Sequence, residues 1–270
     1  MKVTIVVDNI EHAGIPGEWG FCAYIEQNGK KLLLDTGASN LFAENAEKLN
    51  IDLKDIDFAV LSHAHYDHAN GMEKFFEINR KATFYLQEGC GENCYFKKGF
   101  IRKYIGIPKG ITKKYQDRIE YVSGVYTVAD GIYLVSHSTP HLEQIGKKEM
   151  MYQKTKLGWK PDNFCHEQSL VLDTDGGLVI FNSCSHGGVV NIINEVKAAF
   201  PNKKITALIG GFHIFKHPEA EIRELAKLIK ETGIERIYTG HCSKERGYRI
   251  LREELGDMAG QFYVGMELEF

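Results

Sequence analysis

Between Leu61 and Gly71 the chain reads LSHAHYDHANG, which places His63, His65, Asp67 and His68 within six positions. Only 11 histidines occur in 270 residues, so three here is a concentration. In an extended segment residues i and i+2 point to the same side. His63 and His65 can therefore aim at one point, while Asp67 and His68, in the turn that follows, aim at a neighbouring one. Imidazole and carboxylate donors suit zinc, iron, manganese and related divalent ions. A solvated polar loop is the alternative, but four donors in six positions after an apolar run favour metal chemistry.

The motif needs a rigid approach. DFAVLSH reads as a buried strand that runs into it, with a short helix near NGMEKFFEI beyond. Before it, KVTIVVD, FCAYIEQ and KLLLDTG read as strands, the latter two joined by an Asn28-Gly29 hairpin. A helix over SNLFAENAEKLN follows, with Ser39 available as a cap. Strands return at ATFYL, RIEYV, YTV and GIYLVSH. The C-terminal part alternates: strands QSLVLDTD, GLVIFNSC, KITALIGG, ERIYTGH and QFYVG, with helices over NIINEVKAAF, PEAEIRELAKLIKETG and SKERGYRILREELG. Segments near 88–118 and 138–163 lack clear periodicity and read as irregular, lid-like stretches beside a pocket.

Bulk properties exclude several function classes. With 33 basic and 36 acidic residues the net charge is −3, which gives no general attraction to nucleic acid or membrane surfaces. No run of 18 apolar residues is present, and the start MKVTIVVDNIEHAG is too short and acidic for a signal peptide. A cytoplasmic protein is expected. None of the six cysteines forms Cys-x-x-Cys; Cys90 and Cys94 read as unlinked loop thiols.

His-x-His-x-Asp-His after a buried strand, with Asp35-Thr36-Gly37 ending an earlier one, resembles the metallo-β-lactamase fold superfamily over most of the chain. The ordered set GEWGFCAYIE, LLLDTGAS, SHAHYDHANG, HEQSLVL, NSCSHGGVVNI, GGFH and TGHC is similar to the dihydropteroate-synthase-like branch. That branch takes its name from dihydropterin–ribofuranosylaminobenzene phosphate synthase. The resemblance implies an α/β (α+β) fold, a four-layer αββα sandwich, as one domain over residues 1–270. It implies two divalent ions, zinc foremost, with iron or manganese as alternatives. His63, His65 and His186 would hold one, and Asp67, His68 and His241 the other. Asp35 would fix the tautomer of a ligand histidine; a turn cap at Thr36-Gly37 is its alternative role.

One departure stands out. Where many superfamily members bridge the metals with an aspartate, this chain has Asn182-Ser183-Cys184-Ser185-His186. Cys184 as a thiolate and His166 are the candidate substitutes, and His213 in GGFH is a further contact to metal or substrate. His12, His137, His141 and His217 read as ordinary surface or loop residues. Lys147, Lys148, Lys244 and Arg246 read as solvated charges.

The activity implied is that of a metal-dependent hydrolase with Asp67 and Asp35 in its machinery. Two ions would make a shared water a hydroxide and act on a small, phosphate- or pterin-containing substrate. A pterin–arylamine synthase releasing pyrophosphate is the alternative, and a non-catalytic ligand-binding regulator lies in another class. Superfamily oxidoreductases of the diiron type usually carry Glu where this chain has His65, and a flavodoxin-like domain for which 270 residues leave no room. A nuclease would need a basic surface.

Overall fold

In the computed structural model, which describes residues 1–270, two seven-stranded sheets stack face to face with helices outside each. The expected αββα sandwich is the fold. Strand periodicity explains the layering. Leu32 and Leu34 of the strand Lys30–Leu34 enter the seam between the sheets, while Leu33 faces outward against the helices Leu41–Lys48 and Met72–Ile78. In the second sheet Val179 and Phe181 point inward; Leu178 and Ile180 point to Val189–Ala199 and Glu219–Glu231. Strands buried on both faces must be apolar throughout, which is why they read as continuous runs. Burial of such side chains contributes about 1.5–3 kcal/mol each.

The first sheet pairs Lys30–Leu34 with Phe58–Val60 in parallel; the second pairs Gly177–Phe181, Ile205–Ile209 and Arg236–Thr239 in parallel. Parallel strands finish at the same edge, so the segments after Val60, Phe181, Ile209 and Thr239 gather there. The strand Lys2–Val7, antiparallel to a neighbour that is antiparallel to Lys30–Leu34, finishes at that edge too. Gly210 permits this convergence: a Cβ there would lie 1.8 Å from the Asn182 carbonyl oxygen.

Two expectations are corrected. The stretches 88–118 and 138–163 stand beside the pocket as expected but are not irregular. They supply a third, four-stranded antiparallel sheet in which Met151–Thr155 pairs with Cys94–Lys98. Two hairpins distant in sequence, one ending at Tyr104 and the other starting at Met151, complete each other, so neither carries a local periodic signal. The C-terminal strand is also displaced from QFYVG: the pairing strands are Ala259–Gln261 and Glu267–Glu269. Phe262 plugs the inter-sheet seam, and the last strand closes against Lys2–Thr4. No helix is long and apolar enough to cross a membrane.

Candidate metal centre

The edge where strands end brings His63, His65, Asp67, His68, Cys184, His186 and His241 together, all buried. His65 Nδ1 lies 3.2 Å from His186 Nε2, and donor atoms of His63, His65 and His186 lie within 4.8 Å of one another. Beside them, Asp67 Oδ2 lies 3.6 Å from His241 Nε2 and 3.9 Å from His68 Nε2. Cys184 Sγ stands between the two groups. It is 3.2 Å from His68 Nε2 and within 4.8 Å of donors on His63 and His241.

Neighbouring polar groups fix the ring nitrogens. Asp35 accepts from Ser62 N–H and Ser62 Oγ at 2.7 Å each, and its Oδ2 is 2.8 Å from His68 Nδ1. Ser62 Oγ is in turn 2.9 Å from His63 Nδ1. If Ser62 donates its proton to Asp35, it accepts from His63 Nδ1–H. Both His63 and His68 then present an Nε2 lone pair to the centre. Asn9 Oδ1, 3.2 Å from His241 Nδ1, does the same for His241, and Asp8 accepts from the His241 N–H at 2.7 Å.

Of these nitrogens only His68 Nε2 meets a protein atom, the Cys184 sulfur. Nε2 of His63, His65 and His241 and Nδ1 of His186 are buried without hydrogen bonds. Such groups are costly in isolation and rare in folded proteins, and a cation supplies what they lack. Burial and the neighbouring histidines hold His63, His65, His186 and His241 well below the ordinary histidine range, so they are neutral donors. Burial raises the Asp67 carboxyl and pushes the Cys184 thiol well up; a bound cation reverses that by favouring the anion. The donor set fits divalent metal.

The remaining candidates are arranged differently. His166 sits next to the cluster but has both nitrogens committed: Nδ1 accepts from Ala64 N–H at 3.2 Å and Nε2 meets Asp162 at 3.0 Å. It braces the His63–His65 turn rather than offering a lone pair. The His213 ring packs at a tilt 4.3 Å from that of His186, with Nδ1 buried and unpartnered. Positive φ at Asp35, Ser185, His213, His241 and Lys244 concentrates backbone strain along this edge.

His137 is not the loop residue the sequence suggested. Its side chain is 5% exposed and lies between Glu195, 2.8 Å from Nδ1, and Glu167, on Nε2. Glu167 accepts from the backbone N–H groups of His186 and Gly187 at 2.9 and 2.8 Å. Burial opposes charge on His137, but the two carboxylates outweigh it and push it up to about 10. The ion set therefore pins the backbone that carries His186. Asn9 and Asp8 were also missed, although they follow an apolar strand as the other site residues do. Glu167, Glu195 and His137 carry no such spacing signal.

A cleft of about 300 Å³ opens above the centre, lined by Trp19, Tyr66, Phe96, Ile105, Met151 and Phe215 among others. The third sheet overhangs it: Tyr66 N–H donates to Ile105 O at 2.9 Å, and His65 bridges to Gly106.

Comparison with known proteins agrees with this fold. The family model of the metallo-beta-lactamase superfamily matches residues 19–147. The 7,8-dihydropterin-6-methyl-4-(beta-D-ribofuranosyl)-aminobenzene-5'-phosphate synthase of Methanocaldococcus jannaschii is 28% identical, over 93% of this chain and 88% of its own. The crystal structure of Tm1679, described as a metal-dependent hydrolase of the beta-lactamase superfamily, superposes with a TM-score of 0.85 at 28% identity, covering 100% of this chain and 99% of that one. Zinc-bound PqqB from Methylobacterium extorquens shares the fold, with a TM-score of 0.59 at 12% identity over the full length of both chains.

Proposed function

Since the chain belongs to the metallo-β-lactamase superfamily, we propose that it is a cytoplasmic, single-domain metal-dependent enzyme of the hydrolase type, acting on a small phosphorylated substrate. The observation that carries this reading is the pair of adjacent donor groups in which Nε2 of His63 and of His241 is buried without a partner while the opposite ring nitrogen is tied to Ser62 or Asn9, and in which His68, held by Asp35 through Nδ1, turns its Nε2 to the Cys184 sulfur. His63, His65 and His186 would hold one divalent ion; Asp67, His68 and His241 the second; Cys184 stands where both could use its sulfur. Zinc, iron or manganese in such a pair supplies Lewis-acid polarisation of a phosphoryl or carbonyl oxygen and an acidified water.

The chain's own residues supply the rest. Asp35 holds a proton on His68 Nδ1, so that ring cannot turn away from the centre. The sheet formed by 94–104 and 151–161 covers the cleft and restricts water. Phe96, Ile105 and Met151 give the substrate an apolar wall.

A second reading, a synthase joining an arylamine to a pterin with release of pyrophosphate, is supported by identity to the methanogen synthase along nearly the whole chain. Purified protein should contain about two equivalents of divalent metal, and His65→Ala or Asp67→Ala should lose metal. Full retention in both variants refutes the ligand assignment. Assays on phosphodiesters, thioesters and lactones, beside pyrophosphate release from a pterin diphosphate and an arylamine, separate the hydrolase from the synthase. Saturable binding with no turnover of any of them would mark a regulator instead.

A further inference from the structure

The net charge of −3 hides a local excess of the opposite sign. The third sheet consists of two hairpins, Cys94–Lys98 with Ile101–Tyr104 and Met151–Thr155 with Gly158–Pro161. The first carries Lys97, Lys98, Arg102 and Lys103, the second Lys154, Lys156 and Lys160, and neither contains an Asp or Glu. The ion pairs of lysine and arginine all lie elsewhere in the chain. Phe96 and Met151 line the cleft, so strand alternation turns Tyr95, Lys97 and Tyr152 to the outer face. Register sets Tyr152, Tyr95 and Tyr104 side by side in one row there, with Lys97 opposite Arg102 and Lys154 opposite Trp159. Tyr95 meets Tyr104 and Trp159 edge to face, at 5.1 and 5.0 Å. The Lys97 ammonium stands 4.9 Å over Tyr152, and the Arg102 guanidinium 5.3 Å over Trp159.

Exposed apolar side chains add an independent observation. Phe100 and Leu157 are each 102% exposed and Ile101 is 64% exposed, the three highest values among the large hydrophobic residues. All three sit at the turns of these two hairpins, bracketed by Lys98 and Arg102 in one and by Lys156 and Lys160 in the other. Single exposed apolar residues are ordinary; three at the tips of one carboxylate-free sheet form a pattern. Met151–Thr155 runs antiparallel to Cys94–Lys98, so the two tips lie at opposite ends of the sheet, with the rings and cations of the outer face between them. An anionic bilayer matches each part. Lysine and arginine meet its phosphates, tyrosine and tryptophan suit its interface, and phenylalanine and leucine enter the acyl boundary. A single-stranded nucleic acid would use the cations but needs open ring faces. Here the rings meet edge to face, and those of Tyr152 and Trp159 already carry cations.

We propose that the outer face of the third sheet, with the tips at Phe100 and Leu157, docks the protein peripherally on an anionic phospholipid surface. The same sheet roofs the cleft through Phe96 and Met151, so docking sets the cleft beside the bilayer. The proposal goes beyond the metal-centre reading and does not depend on it, since no residue of the donor cluster belongs to this sheet.

Sedimentation of the full-length protein with extruded vesicles tests this. Vesicles of phosphatidylcholine and phosphatidylserine in equal parts should carry the protein down saturably, and phosphatidylcholine alone should not. Lys98→Gln combined with Lys156→Gln removes one charge at each tip. It should weaken binding roughly 25-fold, at about fivefold for each basic residue near an anionic leaflet. Phe100→Ser combined with Leu157→Ser keeps every charge and should weaken binding about tenfold or more. All four positions are exposed, so both variants should melt as the parent does. Failure to sediment with the mixed vesicles overturns the proposal. Unchanged affinity after Phe100→Ser with Leu157→Ser overturns it as well, because charge alone would then carry the binding. Tighter binding to oligothymidylate than to the vesicles, indifferent to the two serine substitutions, assigns the face to nucleic acid and also overturns it. Metal content does not enter the readout, so the metal-centre reading stands or falls separately.

Discussion

Replacing His137 by Gln tests whether the ion set behind His186 is charged and structural. In the folded protein Glu167 and Glu195 push His137 up to about 10, against about 6.5 for an unfolded histidine. Between those pH values the folded state holds a proton that the unfolded state has lost. This contribution is fully present below about pH 6.5 and fades as pH rises through about 10. At about 1.4 kcal/mol per pH unit over that interval, the ceiling is about 5 kcal/mol. Removing one member of a buried ion pair costs about 3–5 kcal/mol by an independent route, and His137, 5% exposed, with Glu167, fully buried, meets that condition. At roughly 2–4 °C per kcal/mol for a chain of this size, His137→Gln should melt about 10 °C lower at pH 6.5. Wild type should lose its advantage progressively toward pH 10, where the two proteins converge. Melting curves at half-unit pH intervals on both metal-free proteins give the comparison. A difference that stays constant from pH 6.5 to 10 would refute the charged assignment, and no difference at pH 6.5 would refute the structural one.

The same site geometry sets other outcomes. Asp35→Asn should lower metal affinity about 10–100-fold, because His68 loses the acceptor that fixes its tautomer; competition with a chelator measures it. Cobalt-loaded protein should show a thiolate-to-metal charge-transfer band that is lost in Cys184→Ala, since Sγ lies 3.2 Å from His68 Nε2; an unaltered spectrum removes Cys184 from the ligand set. Gly187→Ala would put a Cβ 2.3 Å from the His137 ring. It should displace His137 and reproduce the loss of pH-dependent stability, which the melting series above would detect.

LSHAHYDHANG was legible from sequence because its four donors fall within six positions directly after an apolar run; the strand itself stops at Val60, and a turn in which His65 N–H donates to His63 O at 3.0 Å brings the first two together. The apolar runs behind it, Val3–Val7, Leu32–Leu34 and Leu178–Phe181, identified buried strands for the same local reason. His186 and His241 could be proposed through resemblance, since each follows a strand. The third sheet, by contrast, pairs Cys94–Lys98 with Met151–Thr155, and no local pattern encodes a partner so far along the chain.

The sequence by itself determined which residue types could bind metal and which segments had to be buried, because both follow from composition at short spacing. The tertiary structure decided which of those residues meet. It set Cys184 between the two donor groups and tied up both nitrogens of His166. It drew His137 into a buried ion set with Glu167 and Glu195. Those outcomes depend on where parallel strands end relative to one another, and that is fixed by the packing of two sheets rather than by any local run of residues.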